Sequence, residues 1–161
     1  MDPRAQVLAY LRGHHVMTVA TAGPDGPAAA AVFYASCGLD LCFLSAPHSL
    51  HGRNIAIDPR VAITIQGDCT AWSDIKGIQM LGTARLLDGE EAVDARRLYA
   101  ARFPEIPVSG SATGTMARAL LRIRWYRVTT TWLRFIDNAR GFGHRDEWSR
   151  EEFVASPVAP P

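Results

Sequence analysis

The chain predicts a mainly β fold, an antiparallel barrel of about six strands with three or four peripheral helices. Three observations predict it. Short runs rich in β-branched and aromatic residues recur, among them HVMTVATA and RVAITIQ. Neighbouring runs are joined by Gly/Pro turns too short for the crossover that a parallel pair needs. Helical segments are few and do not alternate with the strands, which argues against a βαβ array.

In chain order, Asp2-Pro3 followed by Val7, Leu8 and Leu11 combines a cap, a first-turn proline and apolar spacing, so it predicts a short helix ended by Gly13. Residues 15–22 form a strand, and Gly23-Pro-Asp-Gly26-Pro27 turns the chain into a second. That second arm, PAAAAVFYAS, has four alanines of high helix propensity, but the turn before it and Val32-Phe33-Tyr34 within it favour extended structure. Its small side chains suit either a flat ligand lying on the sheet or tight packing against a helix.

The stretch LDLCFLSAPHSLHGRNIAI reads as a third strand running into a helix capped by Ser45 or Ser49, with Pro47 in its first turn and Asp58-Pro59 as its stop. Residues 60–66 are a fourth strand. Residues 75–87 are a long fifth, in which Gly77 and Gly82 mark a bulge or bend. A helix over residues 88–102 begins with acids and ends at Phe103-Pro104, and a polar loop, PVSGSATGT, follows it. Residues 120–128 and 130–137 read as two further strand arms. A single domain is expected, with its core over about residues 5–148 and a loosely ordered tail at 149–161.

Composition excludes several classes. With 48% hydrophobic and 20% charged residues and a net charge of +1, the chain is neither disordered nor a broad cationic surface for nucleic acid. Lys76 is the only lysine among seventeen basic residues, a bias that base composition explains better than phosphate recognition. Three cysteines without a C-x-x-C pair, no secretory h-region and no long apolar run point to a cytoplasmic protein that does not enter membranes. Gly110-Ser-Ala-Thr-Gly114-Thr115 lacks a P-loop lysine, Gly141-Phe-Gly143 lacks a third glycine, and His48-x-x-His51 lacks a third metal ligand. No metal site is expected. What remains is Ser49, His51 and Arg53 at a helix start, where free N–H groups and the dipole favour a phosphate, together with the closing run FIDNARGFGHRDEW.

The runs HVMTVATAGPDGPAAAAVFYA, LDLCFLSAPHSLHGRNIAIDPRVAITI, IKGIQMLGTARLLDGEEA and FIDNARGFGHRDEW resemble the pyridoxamine 5′-phosphate oxidase-like FMN-binding split-barrel superfamily, and within it the YhbP-like branch. The resemblance implies a six-stranded antiparallel split barrel of Greek-key type, forming a homodimer with two FMN sites at its interface. It implies that the flavin ring lies along Val32, Phe33, Tyr34, Leu44 and Ser45. The phosphate would be held by Ser49, Leu50 and His51, with Arg53 and Asn54 one turn on, and Lys76 and Gly77 would come from the second subunit.

The chain departs from the family's oxidases where an Arg and a Lys on the second strand give way to Ala28 to Ala31, where a Lys gives way to His51, and where a Gln gives way to Gly77. The C-terminal Arg/His element has no counterpart in VASPVAPP. The expected function is therefore an FMN-dependent oxidoreductase of unknown substrate rather than a pyridoxamine phosphate oxidase. The alternative is a binding module without FMN that takes another phosphorylated ligand or a haem, with His48, His51 or His144 as axial ligand.

Overall fold

The computed structural model describes residues 2–106, 118 and 122–155. Its strands are β1 (Val16–Gly23), β2 (Gly26–Cys37), β3 (Asp40–Ser45), β4 (Arg60–Gln66), β5 (Lys76–Leu86), β6 (Arg124–Asp137) and β7 (Arg145–Ser149). The helices are α1 (Pro3–Gly13), α2 (Leu50–Ile57), α3 (Gly89–Arg102) and α4 (Arg150–Ala155).

All strand pairs are antiparallel, in the order β3-β2-β1-β4-β5-β6-β7, and β3 also pairs with β6. The first six strands thus close a barrel, and β4 returns beside β1 in the Greek-key manner. Along β1 and β4 the residues alternate, Met17, Val19, Ile63 and Ile65 facing a core shared with Phe43, Ile78, Leu133 and Phe135. Val7 and Leu11 of α1, Ile55 of α2 and Phe153 of α4 join that core. The α3 helix lies outside the wall, where Tyr99 and Phe103 pack with Ala35, Leu44 and Trp125.

Local signals placed most boundaries. The Asp2 side chain accepts from the Arg4 N–H at 2.9 Å and α1 ends at Gly13. Ser49, not Ser45, caps α2, and Pro47 lies in the turn ahead of the helix rather than in its first turn. The four alanines of the second arm are strand, paired with β1 through Ala20↔Ala29 and Thr18↔Ala31.

Three expectations change. The two arms after residue 120 are one strand, β6, whose inward residues shift phase at Thr131 because Leu81 pairs with Trp132 while Gly82 pairs with Thr130. At that bulge a Cβ on Gly82 would sit 2.3 Å from the Thr129 carbonyl oxygen, so glycine is required there. Strand β7 adds a seventh member to the sheet beside the six of the barrel. The tail expected to be loose from residue 149 instead continues as α4, with Phe153 buried and Arg150 paired to Asp40 at 2.5 Å. The polar loop at residues 107–115 lies outside the described residues, and so do residues 156–161.

Candidate functional site

At the β3–α2 junction the chain turns sharply, and Gly52 makes the turn possible. A Cβ there would lie 2.8 Å from the carbonyl oxygens of both Ala46 and Pro47. The Ser49 hydroxyl accepts the Gly52 N–H at 3.1 Å and the Ser49 carbonyl accepts that of Arg53 at 2.9 Å. The N–H groups of Leu50 and His51 are left without intrahelical acceptors, as at any helix start. Around them stand the Ser45 hydroxyl, 2.6 Å from His51 Nε2 and 3.2 Å from Ser49 Oγ, and the exposed Arg53 guanidinium, which folds back to donate to the His48 carbonyl. Burial lowers the His51 pKa from its ordinary 6.5, so the imidazole is neutral near pH 7.

Hydroxyls, free N–H groups, a polarisable imidazole and a guanidinium at the positive end of a helix fit a phosphate dianion. The structure therefore brings together Ser45, Ser49, Leu50, His51 and Arg53. Ser45, which the resemblance places along a flavin ring, has its hydroxyl within hydrogen-bond distance of both Ser49 and His51.

Other expected site residues lie elsewhere. Tyr34 is fully buried and its hydroxyl donates to the Leu11 carbonyl at 2.7 Å, so it is part of the core. Asn54 is buried against β1, its amide donating to Thr21 Oγ1 at 3.1 Å. Val32 packs against the core, Leu44 lies under α3, and Phe33 is half exposed with its ring edge-on to Phe103 at 5.4 Å.

Lys76 and Gly77 sit at the far end of the barrel. Lys76 pairs with Asp137 in the sheet and its Nζ meets the Asp137 carboxylate at 2.9 Å, whereas Ser45 pairs with Arg124 at the other end of β6. Of the histidines considered as haem ligands, His51 is engaged by Ser45 and His144 Nε2 lies 3.3 Å from Asp146, while the His48 imidazole makes no hydrogen bond among the described residues. No group of three or more His, Cys, Asp or Glu positioned for a metal occurs among the described residues. Nor is any described helix long and apolar enough to cross a membrane.

Sequence reasoning passed over Trp72 and took Phe142 only as part of the run FIDNARGFGHRDEW; the two rings stand 73% and 84% exposed near the Lys76 end. Their signal was an isolated aromatic residue inside a polar turn sequence, TAWSD in one case and RGFGHR in the other.

A closed six-stranded antiparallel barrel with peripheral helices defines a split barrel. The profile of the pyridoxamine 5′-phosphate oxidase family matches residues 3–136, and the chain belongs to that family. It is 30% identical over 143 residues to a UPF0306 protein of Photorhabdus laumondii, covering 88% of this chain and 92% of that one. The fold is shared with a haem-binding protein from Mycobacterium smegmatis, at a TM-score of 0.73 and 21% identity, over 96% of this chain and 61% of that longer one. It is shared also with HutZ, the haem storage protein of Vibrio cholerae, at a TM-score of 0.65 and 16% identity, over 81% of this chain and 91% of HutZ.

Proposed function

We propose that the chain is an FMN-binding homodimer, an oxidoreductase acting on a substrate other than pyridoxamine phosphate, with the phosphate of FMN held by Ser45, Ser49, His51 and Arg53. The observation that carries the reading is the convergence of two free N–H groups, two hydroxyls and a guanidinium on the start of α2. FMN, when bound, supplies the electron chemistry, and the protein positions and shields it. The bare outward side of β2, with Ala29 and Ala31 where the oxidases carry basic residues, supports a different substrate.

The dimer reading rests on the outside of β1, β4 and β5. A cross-strand row runs Ala29, Ala20, Ala62, Leu81, Trp132, and the shallow hollow of about 310 Å³ beside it is lined by strand residues alone. Leu81 is 49% exposed there. The row itself is uncharged, the Arg134 guanidinium that also lines the hollow is paired with Glu147, and such a face is suited to the same face of a second copy.

Flavin absorbance and fluorescence during FMN titration test the assignment. His51→Ala and Arg53→Ala should each weaken FMN by about ten- to a hundredfold, the scale of a charge-assisted hydrogen bond, and leave riboflavin binding unchanged. FMN affinity unchanged from wild type in both variants would overturn it. The pH dependence has a definite sign. His51 is neutral in the free protein and a phosphate dianion favours its charged form, so binding takes up a proton. Affinity should therefore rise as pH falls from 8 toward about 6.5, and His51→Ala should remove that contribution.

A second reading, a haem ligand in place of FMN, is favoured by the His48 imidazole, which makes no hydrogen bond among the described residues, and by the fold shared with two haem proteins. A Soret band on adding haem that is lost in His48→Ala would select it.

A further inference from the structure

Two of the three cysteines face one hollow outside the barrel wall. Cys37 pairs with Asp40 and Ala35 with Cys42 across the tight β2–β3 turn, so the two thiols project from one face of the hairpin as diagonal neighbours. On the other side of β3, Cys42 pairs with Arg127 of β6. These residues, with Asp94, Ala95 and Leu98 of α3, line a hollow of about 310 Å³. Cys37 is exposed, whereas Cys42 is 2% exposed and packs with Leu87 and Ala95. One thiol is open to water and the other is shielded from it, within the same hollow.

The spacing suits a bridging atom better than a bond between the sulfurs. Diagonal partners in an antiparallel pair have Cα atoms about 7–8 Å apart, beyond the roughly 4.4–6.8 Å that a disulfide spans without moving the backbone. A metal held by two thiolates adds two bonds of about 2.3 Å between the sulfurs. The donor set then selects the metal. No group of three or more His, Cys, Asp or Glu is placed for a metal among the described residues, whereas a structural zinc takes four ligands. Two soft sulfurs alone suit Cu(I), a soft monovalent ion that accepts linear two-coordination.

The charges around the hollow agree with that choice. Asp40 is matched by Arg150 at 2.5 Å and Asp94 by Arg97 at 2.8 Å, so the carboxylates that line it are already paired. Arg127 shares Glu91 with Arg85. Burial pushes the Cys42 thiol above its ordinary pKa, and the Arg127 guanidinium beside it opposes that shift, so positive charge stands where a thiolate would form. Ala95 and Leu98 keep one wall apolar, which favours a soft ion over a strongly hydrated one.

We propose that Cys37 and Cys42 bind one Cu(I) ion as a two-coordinate dithiolate. Two S–H protons pass to solvent as two Cu–S bonds form, the copper keeps its oxidation state, and the complex carries one negative charge facing Arg127. The inference does not rest on FMN binding.

The probe is Cu(I) itself, titrated without oxygen into the reduced full chain against a chromophoric Cu(I) chelator. Wild-type protein should take one Cu(I) per chain, with two sulfur neighbours in the copper X-ray absorption spectrum. Cys37→Ser, a change at an exposed position, should weaken uptake by about a hundredfold or more, the scale of losing one arm of a chelate. Cys42→Ala should do the same, and Cys69→Ser, which removes the other exposed thiol, should leave uptake as it is. No transfer of Cu(I) to the wild type, uptake unchanged in Cys37→Ser, or uptake lost in Cys69→Ser would each overturn the proposal. So would one copper per two chains, the mark of a bridge between Cys37 thiols of different molecules, and so would three or four sulfur neighbours.

Discussion

The two sides of the barrel wall are finished differently. Over β2, β3 and the start of β6, α3 lays Tyr99 and Phe103 against Ala35, Leu44 and Trp125, with Tyr99 1% exposed and its phenol pushed up to about 12 by burial. Over β1, β4 and β5 the outward residues around the hollow include Thr18, Ala20, Ala62, Thr64, Gln79 and Leu81, and strand residues, Trp132 and Arg134 of β6 among them, line it. The covered side is completed within one chain by aromatic mass. The open side carries mostly small residues, and the guanidinium groups on it are paired, Arg60 with Asp58 and Arg134 with Glu147. The contrast separates a surface solved by the chain's own helix from one suited to a flat partner of the same kind.

Tyr99→Ala attacks the covered side and should show the largest effect. Truncating a fully buried aromatic residue costs about 3–5 kcal/mol, read as a loss of stability in urea that does not depend on protein concentration. A loss under about 1 kcal/mol would mean that α3 does not complete the fold. Leu81→Arg attacks the open side. It should weaken self-association by about a hundredfold, near 2.7 kcal/mol, while leaving the unfolding midpoint of dilute protein in place. Sedimentation velocity reads this directly, and a wild-type monomer at micromolar concentration would remove the comparison altogether.

The smallest effect concerns how α3 is pinned. Glu91 meets Arg85 at 2.5 Å and Arg127 at 3.0 Å, and its carboxyl is held below the ordinary 4.5 chiefly by the hydrogen bond from Arg85. A depressed carboxyl stabilises the folded state above its ordinary pKa and loses that contribution as pH falls through the lowered value. Near-ultraviolet circular dichroism of the Tyr99–Trp125 contact should therefore loosen in that acid window, and less so in Glu91→Gln.

Much of this architecture was legible where the signal is local. Asp2-Pro3 starts α1, Ser49 caps α2, Asp58-Pro59 stops it, and the Arg60–Gln66 alternation is a strand on its own evidence. What was hidden depends on distant partners. Asn54 looks like a neighbour of the phosphate one turn into α2 until Thr21, thirty-three residues earlier in the chain, takes its hydrogen bond. Tyr34 looks like a ring for a ligand until Leu11 takes its hydroxyl. The continuity of β6 was masked because a bulge shifts the alternation at Thr131, and a shift of phase reads as a break. Strand β7, RDEWS, carries almost no apolar pattern, and is held by pairing to β6 and by Arg134–Glu147 across the two strands. The Ser49, His51 and Arg53 cluster was legible because helix-start chemistry is local. Its separation from Lys76 was not, since only the register of β6 against both β3 and β5 reveals it.

The position of β6 in the chain also governs how the protein must be made. This strand alone joins β3 to β5, so before Arg124 is synthesised both remain open edges of an unclosed sheet. A nascent or truncated chain ending earlier exposes two rows of unpaired N–H and C=O groups beside apolar residues, the state in which sheets join one another end to end. Closure waits on contacts between residues more than eighty positions apart, as in Leu41↔Val128, so folding is slow by topology. The chain is most vulnerable to aggregation during synthesis, before its last long strand emerges.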